Sequence, residues 1–309
     1  MATRIASGLV LCLALTSSPQ YTDWSAPTAL EGLVNTTGQE GAPFLTKDGL
    51  TLYYAGPGPD GSSDLLVSHR ATIESPWGAP LVIPTVNSAA NETNPQLSPD
   101  EHWLYFTTNM PGGLGSQDIW VSHRHDRRDD LGWEAPVNLG SNVNSPSNDI
   151  APTLFEDPAT GVVTMYFASD RAGSADIYST TMRSDRTFTP AVPVPELNSS
   201  FNDQGPAVRR DGLEMFLASN RPGTIGQTDL MVSTRASTAD PWSTPVFLGP
   251  VLNTPFADQA PALSFDGSTL FYISTGKLPG GTGPCSGPSG PCVSDIYFAT
   301  RGKVKTANH

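Results

Sequence analysis

Five carboxylates recur in one short phrase. Asn35, Asn87, Asn144, Asn198 and Asn253 are each followed five residues later by an acid, and three beyond that by proline. The acids are Glu40, Glu92, Asp149, Asp203 and Asp258, and the copies begin 52, 57, 54 and 55 residues apart. If the acids converge, a ring of carboxylates offers the hard oxygen ligands that Ca²⁺ prefers. A pair of them could instead cleave a glycosidic bond, which needs carboxyls about 5–5.5 Å apart for retention or roughly 6.5–9.5 Å for inversion. Glu40 and Glu92, the two glutamates of the set, with Asp149 in the next copy, are the candidates for that chemistry. The third reading is structural: each acid accepts hydrogen bonds and holds one repeat against the next. A feature present in every copy suits that role well.

Other reactive residues sort themselves by the same repeat. His69 and His123 occupy one slot, next to a repeated Arg, so neither is expected to ligate a metal, which needs convergent ligands. His102 adjoins a turn, and His125 opens a mixed-charge loop, His125 to Asp130, expected to be solvated. Asp and Arg stand six apart in Asp64–Arg70, Asp118–Arg124, Asp229–Arg235 and Asp295–Arg301. On a strand that separation is about 20 Å, so the two ends pair with neighbours and not with each other. The third copy, Asp176 to Arg183, carries one extra residue, which suggests a bulge. Cys285 and Cys292 flank six residues rich in Gly and Pro, and in an exported chain they are expected to form a disulfide.

The elements that must position these residues are strands. Each phrase runs into a turn, such as Thr46-Lys-Asp-Gly49 or Ser98-Pro-Asp-Glu101, and then into an aromatic run such as Leu104-Tyr-Phe106. The Asp-to-Arg run follows, then an aromatic anchor: Trp77, Trp133, Phe188 or Trp242. Period-two runs, Asp-Gly turns and the lack of a long 3.6-residue apolar stripe argue for β structure. Four short strands in a repeated unit of this length predict an all-β, five-bladed β-propeller with four antiparallel strands per blade. Too few residues follow Arg301 for a fourth strand in the last blade. Trp24-Ser-Ala-Pro27 matches Trp77-Gly-Ala-Pro80, so the N-terminal strand is expected to complete that blade and close the ring.

Residues 1–20 look like a secretory signal peptide, with Arg4, an apolar run over Ile5–Leu15 and a small or polar stretch after it. Residues 21–309 then form one propeller domain, periplasmic or secreted. With 17 Lys+Arg against 30 Asp+Glu, the formal charge of −13 excludes a broad nucleic-acid surface. No span of the membrane is expected, since the apolar run is shorter than the roughly 20 residues a span needs.

The acid-x2-Pro-x-Leu-Ser-Pro-Asp phrase, then Leu-Tyr-Phe, then Asp118-Ile-Trp-Val-Ser-x-Arg124, resembles the WD40-like PD40 repeat of TolB-type propellers. The resemblance covers residues 24–301. It implies an exported, non-catalytic binding or scaffold propeller, monomeric and without a resident cofactor or metal. Its loops and acidic channel, with Glu40, Glu92, Asp149, Asp203 and Asp258 as the ring, would face a protein, glycan or cell-envelope ligand. The alternative is a glycoside hydrolase-like propeller using Glu40, Glu92 and Asp149.

Overall fold

The computed structural model describes residues 21–276, 278, 281 and 292–304. A two-residue strand, β1 (Thr28–Ala29), comes first and belongs to the last sheet. Blade one holds β2 (Gly41–Leu45), β3 (Thr51–Pro57), β4 (Ser63–His69) and β5 (Leu81–Val82). Blade two holds β6 (Glu92–Leu97), β7 (Trp103–Thr108), β8 (Asp118–His123) and β9 (Val137–Asn138). Blade three holds β10 (Asp149–Glu156), β11 (Val163–Ser169), β12 (Asp176–Thr181) and β13 (Val192–Pro193). Blade four holds β14 (Asp203–Val208), β15 (Glu214–Ser219), β16 (Asp229–Thr234) and β17 (Val246–Phe247). Blade five takes β18 (Asp258–Leu263), β19 (Thr269–Ser274), β20 (Asp295–Thr300) and, as its fourth strand, β1. All neighbours pair antiparallel. Among the described residues no helix is long and apolar enough to cross a membrane.

The core lies between blades as much as within them. Tyr53, Leu65 and Ile83 of blade one pack with Val86, Leu97, Leu104 and Trp133 in one cluster. The residue before each repeated Asn is its wedge: Val34, Val86, Val143, Leu197 and Leu252 are all 0% exposed. The Asn itself then grips one backbone residue of the blade just left. Asn144 Oδ1 accepts from Ile119 N at 2.9 Å, and its Nδ2 donates to Ile119 O at 2.9 Å. The same two bonds join Asn87 to Leu65, Asn198 to Ile177, Asn253 to Leu230 and Asn35 to Ile296. Only a side-chain amide offers a donor and an acceptor at that spacing, which accounts for the residue type.

The repeated Arg is explained by two contacts. It stacks on the aromatic anchor, at 4.5 Å for Arg70 on Trp77 and Arg124 on Trp133, and 4.1 Å for Arg235 on Trp242. Its Nε donates to a carbonyl of the first hairpin turn, of Gly49, Glu101 and Gly212 respectively. Arg301 repeats the pattern across the chain ends, 4.4 Å over Trp24 with Nε on Gly267 O. Trp24 therefore stands where the other blades keep their anchor, and β1 closes the ring as the sequence predicts.

Two details differ from expectation. The extra residue of the third copy makes no bulge in β12, whose six pairs with β11 run unbroken from Ser169↔Asp176 to Thr164↔Thr181. It is absorbed beyond the strand, where Met182 bridges Phe188. The bulges lie instead in every innermost strand, at the residue before the repeated proline. Ala42, Asn94, Ala151, Gly205 and Ala260 hold φ of 44, 53, 54, 61 and 51° there.

Removing residues 1–31 takes away β1 and the Trp24 ring under Arg301 and leaves an open edge on β20. We expect a loss on the order of 3 kcal/mol or more relative to a chain lacking only residues 1–20. Melting temperatures of the two truncations check this, and equal values would contradict closure through β1.

Candidate functional site

The innermost strands β2, β6, β10, β14 and β18 line a central channel with a cavity of about 440 Å³. Its wall mixes polar and apolar surface, built from the bulge residues, the proline ring and Leu45, Leu97, Leu154, Val208 and Leu263, with Gln96, Thr153 and Ser264 among the polar groups. The strands start at one mouth, the entry side, and run to the first hairpin turns at the other, the turn side.

The five repeated acids stand at the entry-side start of these strands, yet none of them belongs to the cavity wall. All are 0% exposed. Each accepts from the Ser or Thr four residues earlier. Asp203 Oδ2, for instance, takes the Ser199 backbone N–H and hydroxyl, both at 2.7 Å. Glu92 does the same with Ser88 at 3.0 and 2.7 Å, and also accepts from Thr108 at 2.9 Å. Asp149 and Asp258 repeat the pattern with Ser145 and Thr254, and Glu40 accepts from the Thr36 hydroxyl. These bonds hold the turn that carries the chain from one blade into the next.

Charge balance divides the five. Asp149 and Asp203 are ion-paired with Arg171 and Arg221, supplied by a Ser-x-Arg sequence at the end of β11 and β15. Blades one, two and five have no Arg in that slot. Burial then dominates: the Glu40 carboxyl is pushed up from 4.5 to about 7 and that of Asp258 from 3.8 to about 6. Burial also raises Glu92, against the lowering pull of the Ser88 and Thr108 bonds. Because folding raises the affinity of Glu40 for its proton, its contribution to stability is fullest below its ordinary value and is lost as pH rises through about 7. Glu40→Gln keeps the acceptor for Thr36 and removes the titration. Its melting temperature should fall less than that of the wild type between about pH 5 and pH 8. Parallel pH profiles in thermal denaturation would contradict this.

The carboxylates that do reach the cavity are others. Glu101 and Glu156 line it, with Lys47, Arg210 and Phe265, all near the turn side. The position seven residues after each repeated acid is Lys47, Pro99, Glu156, Arg210 and Phe265, so here the blades differ from one another. The guanidinium of Arg210 lies 3.9 Å over the Phe265 ring and the Lys47 ammonium 5.6 Å from it.

Glu101 has a further peculiarity. In blades one, four and five its turn slot is glycine, Gly49, Gly212 and Gly267, each at φ 72°. Glu101 holds φ 61° in the same slot. A side chain costs about 1–2 kcal/mol in that left-handed region. The turn is held by the Glu101 N–H bond to Ser98 O at 2.9 Å and by Arg124, whose Nε donates to Glu101 O at 2.9 Å and whose guanidinium also meets Tyr53 at 2.9 Å and Asp130 at 2.5 Å. Its carboxylate accepts the Lys47 backbone N–H at 3.1 Å. Sequence reasoning passed over Glu101, although the substitution of Glu for Gly in Ser98-Pro-Asp-Glu was visible there.

Of the histidines, His69 meets Asp130 at 2.8 Å, and His102 Nδ1 lies 3.0 Å from Arg124 O. His123 and His125 converge with Glu134, a grouping the repeat had concealed. Cys285 lies outside the described residues, as does the stretch 1–20 read as a signal.

No protein-family model matches the chain, and no curated protein does. Solved structures do resemble it. The catalytic domain of a Coprinopsis cinerea GH62 α-L-arabinofuranosidase superposes with a TM-score of 0.60 at 15% identity, over 92% of this chain and 98% of that one. An α-L-arabinofuranosidase from Lactobacillus brevis gives 0.57 at 20% identity, over 90% and 98%. A TolB structure from Agrobacterium tumefaciens reaches 0.49 at 13% identity, over 89% and 78%. At these identities the likeness is one of fold: a five-bladed propeller. It nevertheless corrects the function expected from the repeat. The repeat led to the expectation of a non-catalytic binding or scaffold propeller, whereas the chain superposes on glycoside hydrolases, a Bacillus licheniformis GH43 endo-arabinanase among them.

Proposed function

We propose that this protein is a glycoside hydrolase-like propeller that takes a glycan into the turn-side mouth of its channel. The observation that carries the reading is Glu101, a carboxylate on the cavity wall in a backbone conformation that three other blades give to glycine. Strain of this kind persists where surrounding structure enforces it and is concentrated at functional sites. Glu156 supplies a second carboxylate on the same wall, and Phe265 offers an aromatic face to a sugar ring. In the hydrolysis of a glycosidic bond one carboxyl donates a proton to the leaving oxygen. The other, ionised, activates water or attacks the anomeric carbon. Glu101 and Glu156 are the pair assigned to these roles. The five repeated acids of the entry side are sealed by their Ser, Thr and Arg partners and take the structural part. The full-length likeness to arabinofuranosidases and an arabinanase supports pentose-containing glycans as the first substrates to try.

Reducing-sugar release from arabinan and arabinoxylan tests the proposal. Glu101→Gln and Glu156→Gln should each lower turnover by at least about a hundredfold, the scale of general acid–base catalysis. Absence of release from a broad glycan panel would overturn the reading, and loss on Glu40→Gln or Glu92→Gln alone would move the site to the entry side. A second outcome concerns stability. Glu101→Gly should relieve the left-handed backbone and raise stability by about 1 kcal/mol while abolishing turnover, as followed by denaturant unfolding. A destabilised Glu101→Gly variant would show that the side chain is there for the fold.

A further inference from the structure

Features present in every blade hold the ring, so a constellation present in one blade alone invites a separate explanation. The connection leaving β8 carries such a constellation. His123 and His125 are two apart on an extended segment, so their side chains share a face while Arg124 between them points the other way, into the Trp133 ring. The facing segment is locked beside them: Arg124 bridges Trp133, Glu134 N donates to His123 O at 2.8 Å, and Ser122 Oγ donates to Glu134 O at 2.5 Å. This register brings the Glu134 carboxylate onto the face of the two imidazoles. His123 Nδ1 lies 3.2 Å and His125 Nε2 3.0 Å from the same oxygen, Glu134 Oε1. The three candidate ligand atoms all fall within 4.8 Å of one another.

We propose that His123, His125 and Glu134 form a binding site for a divalent transition metal of the zinc type on the turn-side face of blade two. Metal–ligand bonds of about 2.0–2.1 Å at tetrahedral angles place neighbouring ligand atoms roughly 3.3 Å apart. The two spacings found here approach that edge length with no movement of the backbone. Two imidazoles and one carboxylate suit zinc and its neighbours in the first transition row, and suit neither Ca²⁺ nor Mg²⁺, which take oxygen ligands. Trp103 covers one side of the His123 ring at 4.5 Å between centroids, while the other two side chains are open, His125 at 86% and Glu134 at 50% exposure. Three protein ligands leave a position for water or for a donor from another molecule.

No other blade has this set. The slot of Glu134 is Gly78 in blade one, Thr189 in blade three and Ser243 in blade four, and the slot of His125 is Ala71 in blade one and Ala236 in blade four. His69 repeats His123 without a partner carboxylate in the Glu134 slot and pairs with Asp130 instead. None of the three ligands lines the channel, so the proposal is independent of the glycan site.

Calorimetric titration of the full chain with ZnCl₂ in a non-chelating buffer tests it. One saturable site is expected. Losing an outer-shell partner of a metal ligand costs about 10–100-fold in affinity, so His125→Ala and Glu134→Gln should each weaken binding by at least that much. His69→Ala should bind as the wild type does. Both ligand changes fall on exposed side chains, and unchanged melting temperatures in the metal-free state will show that the variants fold. Ring proton resonances of His123 and His125 should shift together on titration. Absence of a saturable site, or undiminished affinity in both His125→Ala and Glu134→Gln, would overturn the assignment.

Discussion

The asparagine clamp is the interaction on which the ring depends. A propeller blade is a small sheet whose two faces are both apolar, and alone it would bury neither. What makes five of them one object is a fixed angle between neighbours. Each clamp sets it twice over, with two hydrogen bonds to the N–H and C=O of one residue and a fully buried Val or Leu immediately before. The same connection then ends on a Ser or Thr bonded to the buried acid that begins the next blade. Wedge, clamp and acid are thus one device of seven residues, used five times. At the junction of the chain ends, Asn35 holds Ile296 and Ser294 Oγ donates to Glu40 O, so that the covalent break falls within a blade and not between two.

This division of labour separates residues by their conservation within the chain itself. What recurs in all copies is sealed. What varies from copy to copy at an equivalent position gathers on the turn side, where Lys47, Glu156, Arg210 and Phe265 give the channel mouth a mixed character. The cationic pair over Phe265 is notable in a chain of net charge −13. Apolar leucines and prolines along the channel and charged side chains at its rim are the two kinds of surface that binding pockets combine.

Blade two concentrates the departures. Arg124, 1% exposed, is held by Asp130, Tyr53 and the Glu101 carbonyl, and its neighbours His123 and His125 face away from it toward Glu134. One buried guanidinium therefore bonds the Glu101 turn on one side and lies between the two histidines of the His-x-His segment in sequence. The two proposed sites thus adjoin a single repeated anchor.

The five-bladed ring, its strand content and its closure by the N-terminal segment were all legible in the spacing of Asn, acid, Pro, Asp, Arg and Trp, because a repeat writes its geometry as periodicity. The residue types had local reasons too: the amide of Asn for its two-bond clamp, Arg and Trp for their stack. Which of those residues face a ligand was not legible. Recurrence in every copy favoured a junction role for Glu40, Glu92, Asp149, Asp203 and Asp258 over a channel ring, but a period of about 54 residues carries no information on which way a carboxylate turns. In the folded chain each acid meets the Ser or Thr four residues before it, while the bulge residue before each proline lines the channel. The carboxylates on the wall, and the meeting of His123 and His125 with Glu134, arise from pairing between segments about ten residues or a whole blade apart. Such proximity is a property of the folded backbone, and only the tertiary structure could decide it.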